Sequence, residues 1–242
     1  MAFMNITHNS SQFTSAIQKG MKLSEKNNMP ILVGITTELK RIPNMMNLLA
    51  HDKYAFDVSS VWLRPSENKW NIGIGQAHVL KERGTNRFKK LRDAHKEIMR
   101  NALLDSPSTG IAQSIYFGVS RFDTQSAKSK VWENFEDIQF TLPRILISST
   151  GKAAHLTINA LVTPETDINL LQSEINLGFI KASNTSTQDA HMILRKEQSK
   201  VSWQRQVNTV LNLIKKGNLE KLVLARKLLL GFDNALLLSS VI

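Results

Sequence analysis

Short apolar runs of strand length, each bounded by Pro, Gly or polar turn residues, recur along the first two-thirds of the chain and restrict it to a sheet-based fold. Pro30 opens Ile31-Leu32-Val33-Gly34-Ile35, which reads as a buried strand. Residues 58–63 and 70–79 read as a hairpin around the turn-forming stretch Arg64-Pro65-Ser66-Glu67-Asn68-Lys69. Residues 111–118, 138–148 and 154–162 supply three more strands, the last with period-two alternation at 155–159. Helical spacing enters twice in this region. Phe13, Ala16, Ile17 and Met21 mark a first short helix, and Phe88, Leu91, His95, Ile98 and Met99 give the stretch from Arg87 one apolar stripe. The pattern predicts an α+β fold with antiparallel sheets.

The length of 242 residues, 42% of them hydrophobic, is enough for a core that needs no covalent staples. One domain, or one and a part, is expected. Cys is absent, which excludes disulfides, thiolate metal sites and cysteine nucleophiles. Residues 1–15 lack an apolar targeting segment, and no stretch approaches the roughly 18 apolar residues of a membrane span. These features point to a cytoplasmic protein with no membrane partner.

Lys and Arg total 31 against 20 Asp and Glu, a net charge of +11. Residues 81–100 are the densest basic stretch, but Glu82, Asp93 and Glu97 interrupt them and no nucleic-acid motif accompanies them. A solvated helix face is favoured there over a phosphate-tracking surface. The six His residues are never three or four apart, so no local metal pair exists. Gly73-Ile74-Gly75 is half of a dinucleotide fingerprint and sits in a strand pattern, where close backbone packing is the better account.

The polar tract 181–190 reads as an exposed connection and a subdomain boundary. Beyond it, Trp203, Val207, Val210, Leu211 and Ile214 lie at helical spacing behind Ser202, a candidate N-cap, with Gly217 at the stop position. Residues 219–230 then read as a strand with both faces largely buried, Lys221, Val223, Ala225 and Lys227 on one and Leu222, Leu224, Arg226 and Leu228 on the other. Charges inside such a strand need an explanation. A catalytic lysine and a strand-end lysine reaching water both answer it.

Gly217-Asn218-Leu219-Glu220-Lys221-Leu222-Val223-Leu224-Ala225-Arg226 resembles the "G-x-L-x-K-V-V-L-A-R" strand that opens the chorismate-binding core of isochorismate synthases. Upstream, Trp70-Asn71-Ile72-Gly73-Ile74-Gly75-Gln76-Ala77 is similar to that family's "G-x-G-x-A" strand. Tyr116-Phe117-Gly118 with Phe122-Asp123 resembles its "F-G-G-x-x-F-D" segment, although Val119 stands where a second Gly is usual. Trp132, Phe135, Phe140, Leu142 and Pro143 fit its "W-x-x-F…F-x-L-P" pattern.

The resemblance implies part of the chorismate-utilising fold shared with anthranilate synthase component I, two antiparallel sheets stacked with helices outside. It implies residues 1–200 as an N-terminal α+β segment and 201–242 as the start of a catalytic core. The resemblance implies a parent reaction that converts chorismate to isochorismate with the help of Mg²⁺, with the general acid and the Mg²⁺ ligands expected beyond Ile242. Lys221 matches the general base that deprotonates the attacking water, a role that calls for burial to lower its proton affinity. Arg226 either pairs with a carboxylate to support the strand, the favoured role, or orients substrate. The apolar run 235–242 suggests truncation, and the chain alone is expected to be inactive. Menaquinone-pathway members are a closer match than the shorter siderophore-pathway ones, with other chorismate users such as salicylate and anthranilate synthases as further alternatives. A non-catalytic basic module for nucleic acid or another anionic partner is the reading from a different class, and oligomeric state is left open.

Overall fold

The computed structural model describes residues 6–49, 58–105, 114–175, 190–234 and 236. It divides into two compact units, residues 1–185 and 186–242.

The first unit begins with α1 (Ile6–Asn27), more than twice the span of its four marked residues, followed by β1 (Ile31–Leu39) and the short α2 (Met45–Leu49). The hairpin forms as β2 (Val58–Arg64) and β3 (Lys69–Ile74), with Pro65–Glu67 as a 3₁₀ turn and Asn68 closing it at φ 52°. The expected second strand does not run on to residue 79. Gly75 adopts φ +63°, and β4 (His78–Glu82) leaves for another sheet. Then come α3 (Arg87–Arg100), β5 (Leu103–Asp105) and β6 (Phe117–Ser120). Residues 111–113 of the expected strand lie outside the described residues, as do 181–189 of the expected connection.

The single strand expected over 138–148 is two, β7 (Ile138–Leu142) and β8 (Ile145–Ser149). Pro143 lacks the N–H that a continuous ladder requires, and the chain changes sheets there. After β9 (Ala154–Val162), α4 (Ile168–Glu174) starts at an Asp167 cap whose carboxylate accepts from the amides of Asn169 and Leu170.

A six-stranded sheet runs β2-β3-β8-β9-β1-β5 and a three-stranded sheet runs β4-β7-β6. All described pairings are antiparallel except β1 with β5. The larger sheet has unlike faces. Val33, Ile72, Ile147, Leu156 and Val162 are buried on one, where Gly20 lets α1 approach closely. The other carries a cross-strand row, Trp62, Asn71, Ser148, His155 and Glu38, each directly opposite the next. On the smaller sheet, α3 packs Leu91 against Leu80 and Ile138.

Most basic residues of 81–100 face solvent, but Arg87 is buried and Phe88 is 55% exposed, the reverse of expectation. The buried stripe is Arg87, Leu91, Ala94 and Ile98, and Phe88 lies about one-quarter turn from it. The Arg87 guanidinium donates to the carbonyls of Gly84 and Arg121, which offsets its burial.

In the second unit, β10 (Met192–Glu197) pairs antiparallel with β11 (Leu228–Phe232), flanking α5 (Lys200–Lys215). Ser199, not Ser202, caps α5: its hydroxyl accepts from the Ser202 amide at 3.2 Å. Gly217 ends it at φ +73°, with its amide on Ile214 O and the Asn218 amide on Leu213 O.

The strand expected over 219–230 does not form as such. Residues 221–227 have no regular secondary structure, and only 228–232 form a strand. Its faces are not buried: Leu222 is 43% and Val223 81% exposed. A strand needs a neighbour for its backbone N–H and C=O groups, and within this unit the described ladder reaches only Leu228. Of the apolar run 235–242, only Leu236 is described.

Candidate functional site

Lys221 follows the Gly217 turn by four residues and is exposed. The burial that the base role calls for is not provided by the described residues of its own unit. Five residues on, Arg226 lies 3.8 Å from Glu197, which also meets Arg195 at 3.2 Å. Both pairs are more than one-third exposed, so they orient side chains more than they stabilise the unit.

Of the remaining motif residues, those from Tyr116 to Pro143 gather in the first unit around the smaller sheet, whereas residues 70–74 lie on β3 of the larger one. Gly118 is required by packing, because a Cβ there would overlap the Phe140 ring on the adjacent strand. Val119, at the usual second Gly, is 55% exposed and meets no such restriction. Trp132 and Phe135 stack edge to face at 5.2 Å. Phe122 is fully exposed, while the Asp123 carboxylate accepts from the Gln125 amide at 2.8 Å and is held below the usual carboxylate range.

An ion-pair network holds the segment carrying these aromatics. Asp137 accepts from the Gly84 amide at 3.0 Å and from Arg121 at 3.4 Å, with Lys128 at 3.9 Å, and these donors depress its pKa. Arg83 grips Glu136 in a two-point contact, donating from Nε to Oε2 and from Nη2 to Oε1. The segment borders an open cavity of ≈ 550 Å³ with Phe122, Trp132, Phe135, Arg121 and Lys128 in its walls.

A second cavity, ≈ 620 Å³, lies between the two sheets. Ser60, Trp62 and Asn71 come from the larger sheet and Gly118, Gln139 and Thr141 from the smaller. Tyr116 borders it and meets His78 Nδ1 at 3.0 Å. Burial pushes the Tyr116 phenol up to about 12 and the His78 imidazole down. His95 packs edge-on against the same ring at 5.3 Å. Nothing in the spacing of His78, His95 and Tyr116 announced this cluster, which depends on the docking of α3 and β4.

Among the described residues, no three His, Asp or Glu side chains gather where they could hold a metal ion. The described residues do not fit a Mg²⁺ centre.

A helix–turn–lysine segment in one unit and antiparallel sheets carrying the Gly118 and Phe140 contact in the other define the protein class. The chain belongs to the chorismate binding enzymes, whose family match spans residues 15–242. One relative, the isochorismate synthase MenF of Bacillus subtilis, is 22% identical over 190 residues, covering 75% of this chain and 40% of that protein. The structure of MenF, the menaquinone-specific isochorismate synthase from Escherichia coli, matches 94% of this chain with a TM-score of 0.52 at 14% identity. This chain covers 48% of that structure, so the likeness is one of fold over about half its length.

Proposed function

We propose that this chain supplies part of an isochorismate synthase acting in menaquinone synthesis in the cytoplasm, with residues 1–200 preceding a chorismate-binding core that opens at 201–242. The observation that carries the proposal is the run from α5 through the Gly217 turn to Lys221 and Arg226, which keeps the quoted core motif within the matched residues. Lys221 is assigned as the base that takes a proton from the water attacking the chorismate ring. Arg226 supports that segment through Glu197.

The parent reaction is Mg²⁺-dependent, and its metal ligands and general acid are assigned outside the described residues. On this proposal the 242-residue chain by itself is expected not to turn over chorismate, since none of its described residues is assigned as general acid or metal ligand. Chromatographic assay of the purified chain with chorismate and Mg²⁺ is expected to give no isochorismate above background, and product formation would overturn this.

The base assignment is tested in a protein carrying this sequence within a chain of the relatives' length. Lys221→Ala there is expected to lower kcat by about 10²–10⁴-fold with KM little changed. Undiminished turnover would remove Lys221 from the mechanism.

A further inference from the structure

Among the described residues that line the cavity between the two sheets there is no Asp, Glu, Lys, Arg or His, although the chain as a whole carries a net charge of +11. Its polar groups are the hydroxyls of Ser60 and Thr141 and the amides of Asn71 and Gln139, facing one another from two sheets. Trp62, 46% exposed, Tyr116 and Phe135 supply ring faces. The phenol of Tyr116 remains protonated across the physiological range, so the lining stays neutral.

A second observation comes from the cross-strand row that Asn71 continues. Asn71 stands directly opposite Ser148, and Ser148 opposite His155. Ser148 is 6% and His155 1% exposed, yet among the described residues Ser148 Oγ and both His155 ring nitrogens have no hydrogen-bond partner. Buried polar atoms are ordinarily paired, so the row carries unused hydrogen-bonding capacity one and two strands from Asn71 in the cavity wall. A charged ligand would leave water here without a counter-ion, at a cost that neutral hydroxyls avoid.

We propose that this cavity binds an uncharged polyhydroxylated ring, a cyclitol or pyranose, with its hydroxyls on Asn71 and Gln139 and its apolar face on Trp62. The volume falls within the range of small-molecule sites. The inference goes beyond the chorismate assignment, because chorismate is an anion, and its failure would leave that assignment untouched.

The test uses the 242-residue chain with myo-inositol, D-glucose, D-glucuronate and D-glucosamine, read by saturation-transfer NMR and indole fluorescence. At least one neutral ring is expected to bind saturably, and the two charged sugars at least about tenfold more weakly than glucose if glucose is the ligand. Asn71→Leu and Gln139→Leu are each expected to weaken binding about tenfold or more. The two residues stand on different sheets, so a folding defect in one variant, checked by circular dichroism, leaves the other as the test. No saturable neutral-ring binding, unchanged affinity in a folded variant, or equal binding of glucuronate and glucose would each overturn the proposal.

Discussion

His78 is half-buried against Tyr116, and burial lowers its pKa from an ordinary value of 6.5. The native state therefore resists a proton that the unfolded chain accepts as pH falls through 6.5. Stability attributable to this residue is present above that pH and is lost on acidification. Urea unfolding of the wild-type chain and His78→Gln between pH 7.5 and 5.5 should give the variant the shallower loss, and parallel curves would refute the linkage. Gly118 makes a different residue-scale demand. Gly118→Ala forces Phe140 to move and is expected to cost about 1–3 kcal/mol, read as a lower urea midpoint. The sequence motif disclosed that a Gly belongs near this position; the ring that requires it could only be named once β6 and β7 were paired.

Among the elements, α1 shows packing overriding propensity. Alanine at Gly20 would gain roughly 0.5–1 kcal/mol of helix propensity. Its Cβ would also stand 2.6 Å from Val33 Cγ2 and 2.8 Å from Val162 Cγ2, so overpacking of about 1–3 kcal/mol prevails. Gly20→Ala should lower the thermal midpoint, and a raised one would show that α1 shifts without penalty. The break at Pro143 was chemically legible, since proline cannot donate within a ladder. The exposed stretch 221–227 was not, because apolar alternation marks a capacity to pair while a partner strand decides whether pairing occurs.

For the whole molecule, the charge of +11 should attract polyanions weakly at low salt. Exposed Lys89, Arg92, Lys96 and Arg100 on α3 are interleaved with Asp93 and Glu97. Fluorescence anisotropy with duplex DNA should show binding at about 50 mM salt that is largely lost by about 200 mM. Tight binding at the higher salt would favour the basic-module alternative over a solvated helix face. No described helix is long and apolar enough to cross a membrane.

By itself, the sequence determined the α+β class, the β2–β3 hairpin, the Gly217 stop and the motif residues of the chorismate-binding family, because turn chemistry, periodicity and residue identity are local. Only the tertiary structure decided that Arg87 is buried in place of Phe88, that 138–148 serves two sheets, and that Asn71, Ser148 and His155 share one row. Those outcomes depend on which strand lies beside which and on the helix seated against them, contacts between residues far apart in the chain that local periodicity does not specify.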